Sequence, residues 1–303
     1  MAAADAKIGV AVSGGRDSLA LLLLCAASRP GLIEGATVDH GLRTESLNEA
    51  AGVAKLCKTM DIPHSTLKAR WDRPPTSNIP AAARKARYDC LSRWAEERTL
   101  PFIATAHHLD DQAETILMRL ARSSGVSGLA GMAASRPLNA SVTLVRPLLR
   151  WKRSELRHIV EGARLTAVDD PTNADQRFDR THARNLLEAA DWLDPARIAS
   201  AASHCRNADE ALAWCAAREF EERAEATNAG ITIAAGGLPV ELQRRLLIIG
   251  MKRLGASEPR GPDLIAAVGR LGRGEVTTLG GLKMQGGDRW HLSVAPERRI
   301  PTG

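Results

Sequence analysis

The segment Ile8–Ser18, with the sequence IGVAVSGGRDS, most constrains how this chain can fold. Its first residues are apolar and β-prone, and the leucine-rich run after Ser18 is typical of a buried helix. Gly14 and Gly15 lack Cβ atoms and can adopt positive φ, so consecutive backbone N–H groups can turn toward one anion. The segment therefore predicts a strand, a phosphate-binding loop and a helix N-terminus, where the helix dipole also favours negative charge.

The loop differs from the two commonest nucleotide-binding loops. It has no Gly-Lys-Ser/Thr ending, and it lacks the Gly-x-Gly-x-x-Gly spacing of dinucleotide sites. The pattern SGGxDS over residues 13–18 resembles instead the signature of the PP-loop family, the N-type ATP pyrophosphatases. This resemblance implies that the chain splits ATP to AMP and pyrophosphate while it adenylates a carbonyl oxygen. The ATP-binding residues that it implies are Ser13, Gly14, Gly15, Arg16, Asp17 and Ser18.

Apolar, strand-like runs alternate with helical runs beyond the loop, which is typical of an α/β fold with a parallel sheet. The sequence predicts strands over 35–40, 62–67 and 101–106, and helices over 44–60 and 80–99. In open α/β sheets, ligands bind beyond the carboxyl ends of the strands. The polar residues just past those ends should therefore converge on one crevice, with two of them, Asp39 and His40, beside the nucleotide. They are Ser13, Asp39, His40, His107 and Asp110.

A second dense motif, AHHLDDQAET, occupies residues 106–115. On a helix that begins near Asp110, Asp111 and Glu114 share one face. Such carboxylates can hold Mg²⁺ while leaving positions for water and pyrophosphate oxygens, or they can position a general base. Zinc is disfavoured because adjacent histidines point in different directions and no third His or Cys lies at ligand spacing. In a simpler interpretation, Asp110 only caps the helix with Glu114 as its capping partner, and both histidines are solvated.

Four motifs in order narrow the resemblance. They are VDHGLR at 38–43, ARxxRY at 83–88, HHxDDQxET at 107–115 and DPTN at 170–173. Together they look like the successive motifs of the tRNA(Ile)-lysidine synthetase family, over residues 7–190. The resemblance implies that ATP activates C2 of the wobble cytidine in the CAU anticodon of tRNA(Ile). The amine of L-lysine would then displace AMP to give lysidine.

The same resemblance implies roles for individual residues. Arg43 and Arg87 are candidates to meet the growing negative charge, although Arg84 and Arg87 could equally be solvated helix residues. The carboxylates of the second motif, with His107 nearby, suit recognition and deprotonation of the lysine ammonium group. Asp17 and Asp111 are the candidate Mg²⁺ ligands. The full set of catalytic candidates is Asp17, Arg87, His107, Asp110, Asp111 and Glu114.

A basic segment follows the DPTN motif. Its arginines Arg177, Arg180 and Arg184 suit contacts with tRNA phosphates, which position a nucleic acid without reading its sequence. Thr181 stands where the family usually has asparagine, which puts the role of that side chain in doubt. The alternative interpretation is a basic helix face that anchors the loop.

The remaining chain is predicted to form a helical linker and a second domain. The pattern is helical from Pro195 to about Thr227, then helical again over 238–254 and 262–271. The runs 277–284 and 289–294 resemble a hairpin around Gly286–Gly287. We expect a catalytic domain over 1–194, a helical linker over 195–235 and a smaller α+β domain over 236–303. Arg244 and Arg245 are its tRNA-binding candidates, unless the domain only packs and its arginines are solvated.

Composition sets the outer limits. The formal net charge of +6 permits a polyanionic partner. The five cysteines are widely spaced without a Cys-x-x-Cys pair, which favours a reducing cytoplasm over disulfides or a metal cluster. No apolar run is long enough for a membrane span, so we expect no membrane partner. A homodimer stays open.

Three other functions are compatible with parts of the sequence. A tRNA thiolase would use the same adenylation but needs cysteines to carry sulfur or a cluster. A synthetase linked to an amidotransferase needs a glutaminase domain or partner. A nucleotide-binding regulator or RNA-binding module without catalysis is the third. The carboxylates of both motifs favour an enzyme, because binding alone does not need so many metal-capable groups.

Overall fold

The computed structural model describes residues 5–41, 45–69, 71, 79–168, 179–259 and 261–295. The chain divides between Arg206 and Asn207 into two units. The first contains a six-stranded, mostly parallel sheet, and the second contains a five-stranded antiparallel sheet with helices. The predicted α/β fold with a smaller α+β part is therefore confirmed. The predicted functional boundaries at residues 194 and 235 stay a prediction.

The sheet of the N-terminal unit has the strand order β3-β2-β1-β4-β6-β5. All neighbouring pairs are parallel except β5 with β6. The strands β1, β2, β3 and β4 lie close to the predicted positions, whereas β5 and β6 were not predicted. The strands are β1 (Ile8–Ala11), β2 (Ile33–Asp39), β3 (His64–Lys68), β4 (Phe102–Ala104), β5 (Ser135–Pro137) and β6 (Thr143–Val145).

Helices cover both faces of this sheet, which explains why β1 is apolar throughout. The helices of this unit that precede the boundary are α1 (Arg16–Ser28), α2 (Glu45–Thr59), α3 (Ile79–Glu97), α4 (Leu109–Ala121), α5 (Val126–Leu129), α6 (Arg153–Gly162) and α7 (Asp179–Ala189). The following helix, α8 (Pro195–Arg223), contains the boundary between the two units.

Two apolar clusters form the core of the N-terminal unit. Val10 of β1 packs with Leu21 and Leu22 of α1 in one cluster, which also includes residues of α2 and α6. Trp94 of α3 belongs to the other cluster. Its ring lies so close to β1 that a Cβ atom at Gly9 would be 2.6 Å from Trp94 Cζ3. Gly9 therefore allows α3 to pack directly on the sheet.

The C-terminal unit has the strand order β7-β8-β11-β10-β9, with every pair antiparallel. Its core includes Phe220 and Trp290. The two predicted helices and the hairpin around Gly286–Gly287 are confirmed. The elements are β7 (Ala224–Thr227), β8 (Gly230–Ile233), α9 (Val240–Arg253), α10 (Gly261–Gly272), β9 (Val276–Leu279), β10 (Leu282–Gln285) and β11 (Trp290–Val294).

Two details of this unit differ from the prediction. The run 277–284 is not one strand, because Gly280 and Gly281 have φ of +58° and +79° and form a tight turn between β9 and β10. Two consecutive positive φ values are typical of a two-residue hairpin turn of type I′. In addition, α8 ends at Arg223 rather than continuing to Thr227, because residues 224–227 pair with β8. Strand pairing here overrides the helix propensity of Ala and Glu.

Candidate active site

Residues 13–18, which we call the phosphate loop, connect β1 to α1 at the edge of the sheet where the parallel strands end. Gly14 has φ of +86°, and Gly15 precedes α1 without a side-chain capping bond. The Ser18 hydroxyl donates to Gly15 O at 2.8 Å, and Val168 N donates to Gly14 O at 3.0 Å. Two carbonyl groups are thereby held, and the N-terminal end of α1 suits an anion.

His108 lies at the meeting point of the two predicted motifs. It is fully buried and precedes α4, with Asp111 three residues later at the spacing of a capping box. Asp111 Oδ2 accepts from His108 N at 3.0 Å. His108 Nε2 lies 3.4 Å from Asp17 Oδ2 and 3.6 Å from Asp111 Oδ2, without the alignment of a hydrogen bond. His108 therefore connects the carboxylate of the phosphate loop with that of the second motif.

The surroundings of His108 favour its charged form. Burial lowers the pKa of the imidazole, but its contacts with Asp110 and Asp17 and the charge of Asp111 outweigh burial and raise the pKa to about 9. His108 Nδ1 lies 3.4 Å from Asp110 Oδ2 and also 3.4 Å from Asp111 N. A protonated Nδ1 cannot accept from Asp111 N, so in the imidazolium it donates to Asp110.

Asp110 is a carboxylate at neutral pH. It accepts a hydrogen bond from Arg153 N at 2.8 Å. Burial would raise its pKa, but the contact with His108 and the bond from Arg153 outweigh burial and lower the pKa to about 2. The structure therefore gives Asp110 two roles, in that it accepts from the first turn of α6 and stabilises the His108 imidazolium.

Glu114 is the centre of a buried ion-pair network. Only 1% of its side chain is exposed, and three guanidinium groups surround it. Arg153 Nη2 and Arg184 Nε lie 2.8 and 3.0 Å from Oε1, and Arg180 Nε lies 2.9 Å from Oε2. Burial would raise the pKa of Glu114, but its bond with Arg153 and the charges of Arg180 and Arg184 lower it. Glu114 therefore ties α4 to α6 and α7.

His107 has the opposite surroundings to His108. It is partly buried, and its Nδ1 lies 3.0 Å from the hydroxyl of Thr105. Burial, and next the charges of Arg146, Arg84, Arg180 and Arg87, lower its pKa to about 2. His107 is thus a neutral imidazole, while the adjacent His108 is an imidazolium.

The other predicted site residues have varied surroundings. Asp39 is buried at the end of β2, and its Oδ1 accepts from Gly41 N at 2.8 Å. The carbonyl of His40 accepts from Trp71 Nε1 at 2.8 Å. Thr181 is buried in α7. Arg16 is the first residue of α1. Arg43, Arg177 and the DPTN motif lie outside the described residues.

Arg244 and Arg245, the tRNA-binding candidates of the C-terminal unit, have carboxylate partners. Arg244 Nε and Arg245 Nε each lie 2.7 Å from an oxygen of Glu241. Arg245 Nη2 also lies 2.5 Å from Asp209 Oδ1, and only 9% of Arg245 is exposed. A tRNA phosphate at these positions would have to compete with the two carboxylates.

Three residues that the structure brings to the site have no role predicted from the sequence: His108, Arg146 and Arg153. A local signal did exist for His108, because Asp follows it at the spacing of a capping box. Arg146 and Arg153 lie in none of the recognised motifs, and β6, which Arg146 follows, was not predicted.

The donor set fits the groups that the sequence predicts. Among the described residues, no group of three or more His, Cys, Asp and Glu side chains could hold a metal. Asp17 and Asp111 nevertheless approach the same nitrogen of His108. Mg²⁺ usually uses one or two protein carboxylates together with substrate phosphates. Two carboxylates beside a phosphate loop therefore suit Mg²⁺ bound with a nucleotide.

Three of the five cysteines are buried or partly buried in ways that do not suit sulfur transfer. Burial raises the pKa of the Cys25 and Cys57 thiols to about 11. Cys90 is buried, with Sγ 3.7 Å from Lys68 O. Because the thiolate is the nucleophile and the metal ligand, the raised pKa values make Cys25 and Cys57 poorly suited to either role.

Comparison with known proteins supports the interpretation of this site as a nucleotide-binding site of the PP-loop type. The PP-loop domain family matches residues 2–190. The tRNA(Ile)-lysidine synthase of Zymomonas mobilis is 41% identical over 297 residues, which cover 97% of this chain and 90% of that protein. The corresponding synthase of Novosphingobium aromaticivorans is 44% identical over 299 residues, with the same coverage of both chains.

A solved structure shares the fold. The U34-tRNA thiolase of Methanococcus maripaludis, solved with its [4Fe-4S] cluster, aligns with a TM-score of 0.58 and 20% identity. The alignment covers 68% of this chain and 72% of that one. At this identity the likeness shows the fold alone.

Fold and site together define a PP-loop enzyme, a class that uses ATP. Within that class, the chain belongs to the tRNA(Ile)-lysidine synthase family, whose members are ligases. None of the helices in the described part of the chain combines the length and apolar character that a membrane crossing requires.

Proposed function

We propose that the protein ligates L-lysine to C2 of the wobble cytidine in the CAU anticodon of tRNA(Ile). ATP would first adenylate the C2 oxygen of the tRNA, releasing pyrophosphate. The lysine amine would then displace AMP to give lysidine. The identity with lysidine synthases over nearly the whole chain supports this substrate. The meeting of Asp17 with His108 and Asp111 beside the phosphate loop is the observation that carries the proposal.

In the first step, the phosphate loop would hold the pyrophosphate part of ATP, and Arg87 would meet charge that develops on the transferred group. Asp39 and His40, at the end of the neighbouring strand β2, would border the nucleotide. Asp17 and Asp111 would hold Mg²⁺, which when bound neutralises phosphate charge. His108 would keep these two carboxylates oriented by its contacts with both. Positioning and charge neutralisation are the main requirements of such transfers.

In the second step, carboxylates would recognise the lysine ammonium group. Asp110 and Asp111 lie in the first turn of α4, beside the edge where the parallel strands end. Glu114 is saturated by three arginines, so we assign it to positioning Arg180 and Arg184 rather than to contact with lysine. His107 stays neutral because its pKa is about 2, so it would accept a hydrogen bond through its unshared ring nitrogen rather than remove a proton.

The tRNA would bind through arginines in both units. Arg180 and Arg184 hold α7 at the site through Glu114, with Arg180 Nη2 also 3.6 Å from Asp111 Oδ1. Contacts of their remaining N–H groups with tRNA phosphates are part of the proposal, as are contacts by Arg177, Arg244 and Arg245. A homodimer stays a prediction.

The proposal is tested by incorporation of radiolabelled lysine into an unmodified tRNA(Ile) transcript with the CAU anticodon, in the presence of ATP and Mg²⁺. A methionine tRNA transcript is the control. Labelling of the isoleucine transcript alone, with release of pyrophosphate, is the expected result. Pyrophosphate release without labelling would disprove the nucleophile or the tRNA. Absence of both would favour a binding protein without catalysis.

A further inference from the structure

Four residues form a positively charged group beside the site, which we call the arginine pocket: Arg84, Tyr88, Arg136 and Arg146. The guanidinium carbons of Arg84 and Arg136 lie 5.1 and 4.8 Å from the centre of the Tyr88 ring, which is cation–π distance. Arg84 and Tyr88 belong to α3, Arg136 belongs to β5, and Arg146 follows β6. Elements that are distant in sequence therefore bring three cations together.

No carboxylate in the described part of the chain balances the charges of this pocket. Within the described ranges, none of its three arginines forms an ion pair with a carboxylate. Arg146 is only 5% exposed. Its Nη1 donates to Ala133 O at 2.6 Å, while its Nε has no hydrogen-bond partner among those residues. Burial of an unpaired charge is costly, so the pocket is suited to an anion from outside the chain.

The pKa values of neighbouring groups agree with an excess of positive charge. Burial is the main cause that lowers the pKa of Arg146, and the charges of Arg136 and Arg84 lower it further, with partial compensation by Tyr88. Arg146 and Arg84 also lower the pKa of His107. A bound anion would relieve this repulsion.

The position of the pocket separates it from the phosphate loop. In the strand order β1-β4-β6, the loop follows β1 and Arg146 follows β6. Neighbouring strands are about 4.8 Å apart, so about 10 Å separates the ends of β1 and β6. His107 and the start of α4 follow β4, between the two. The RNA nucleotide that is adenylated would lie at this middle position, and the RNA backbone beside it would extend toward β6.

We propose that the arginine pocket binds a phosphodiester group of the substrate RNA next to the reacting nucleotide. The inference rests on the proposed function, which supplies the RNA and the position of ATP. The planar guanidinium groups suit two-point contacts with phosphate oxygens. The Tyr88 ring holds Arg84 and Arg136 in place, so they are positioned before the RNA binds.

The test compares RNA and ATP affinity in charge-removing variants. Arg136→Gln and Arg84→Gln change accessible members of the pocket, and Arg146→Gln changes the buried one. Arg93→Gln is the matched control, because Arg93 is exposed on the same helix α3 and donates to Asp89 O. Binding of an unmodified tRNA(Ile) transcript is followed by fluorescence anisotropy over a series of salt concentrations, and binding of ATP by calorimetry.

We expect Arg136→Gln to weaken tRNA binding about 5- to 10-fold and to lower the slope of log K against log salt by about 1. Affinity for ATP should stay within about twofold, since the phosphate loop is untouched. Equal weakening of ATP and tRNA binding would show that the pocket serves the triphosphate. Unchanged tRNA affinity in all three variants would overturn the proposal.

A second measurement identifies the phosphate. Anticodon stem-loops that carry one neutral methylphosphonate at a time are bound to the wild type and to Arg136→Gln. A methylphosphonate that weakens binding to the wild type but has no further effect on the variant marks the contacted phosphodiester. Additive losses at every position would contradict a direct contact.

Two controls separate the possible causes of failure. Melting curves followed by circular dichroism show whether Arg146→Gln is folded, and Arg146→Lys, which keeps the charge, should retain most of the tRNA affinity. All these measurements record binding without lysine. If the wild type binds tRNA(Ile) but transfers no lysine, the proposed reaction fails while the phosphate contact is still decided.

Discussion

Each unit contains a carboxylate that pairs with two or more arginines, but the surroundings of the two carboxylates differ. In the N-terminal unit, Glu114 is 1% exposed and binds Arg153, Arg180 and Arg184. In the C-terminal unit, the side chain of Glu241 is 37% exposed and binds Arg244 and Arg245. The buried network fixes the position of helices at the site, whereas the exposed one is screened by water. The same residue types therefore contribute differently according to burial.

The arginine clusters of the two units also differ in whether carboxylates match their positive charge. Arg273 and Arg289 of the C-terminal unit have carboxylate partners, as do Arg244 and Arg245. The arginine pocket of the N-terminal unit has no such partner among the residues described. The arginine pocket lies at the carboxyl edge of the parallel sheet, so its position depends on the fold and is not revealed by composition.

The largest expected effect tests whether the reaction takes place at the edge where the parallel strands of the N-terminal unit end. Asp17→Asn should lower pyrophosphate release at least about 1000-fold, because it removes a charge that contacts His108 and is assigned to Mg²⁺. The measurement is release of pyrophosphate under saturating ATP. Asp89→Asn is the control, since Asp89 is an exposed carboxylate paired with Lys85. A wild-type rate in Asp17→Asn would remove the edge from the mechanism.

The comparison of the two carboxylates is tested directly by matched variants. Glu114→Gln should cost about 3 kcal/mol, because it leaves three arginines around an uncharged group. Glu241→Gln should cost less than about 1 kcal/mol, because its ion pairs are partly exposed. Hydrogen exchange of α4 and α9 measures each cost within its own unit. Equal costs would show that burial does not distinguish the networks.

The neutral His107 predicts a dependence of stability on pH. Burial, and next the charges of Arg146 and Arg84, lower its pKa from 6.5 to about 2, so below pH 6.5 the unfolded chain binds the proton that the native state refuses. Stability should therefore fall as the pH falls below 6.5. Between pH 7 and pH 5, His107→Gln should lose less stability than the wild type, by on the order of 1 kcal/mol. Urea unfolding at several pH values checks this, and parallel curves would contradict it.

The smallest effect concerns the C-terminal arginines. Arg244→Gln should weaken tRNA binding less than about twofold, because a contact of Arg244 with a phosphate has to compete with Glu241, which already neutralises the guanidinium group. The measurement is the anisotropy titration used for Arg136→Gln. If Arg244→Gln weakens binding as strongly as Arg136→Gln, the phosphate displaces Glu241 and the contrast between the units is lost.

The sequence predicted those elements of the fold that are determined by the residue types of a short continuous segment. The strand, glycine loop and leucine-rich helix around Gly14 follow directly from residue types, and so does the hairpin around Gly286–Gly287. The strands β5 and β6 have three residues each, as β4 has, but only β4 lies between a predicted helix and the second motif. The strand β7 was interpreted as helix because its pairing partner decides its conformation.

The sequence predicted those site residues that lie within one of the two recognised motifs. Asp17 and Asp111 were selected from the two motifs, and the structure brings both to His108. The burial of His108 depends on how α4 packs beside the phosphate loop, which a local pattern does not contain. Arg146 and Arg153 were missed for the same reason, because their importance arises from contacts with elements distant in sequence.

Gly9 of β1 influences the position of the α3 residues at the site, although it does not contact them. Because the strand has no side chain there, the Trp94 ring rests directly on its backbone and sets the distance between α3 and the sheet. The first turns of α3 carry Arg84, Arg87 and Tyr88. Because Gly9 has no side chain, α3 packs as close to the sheet as the backbone allows. A single methyl group added beneath Trp94 would push α3 away from the sheet and shift these arginines with it.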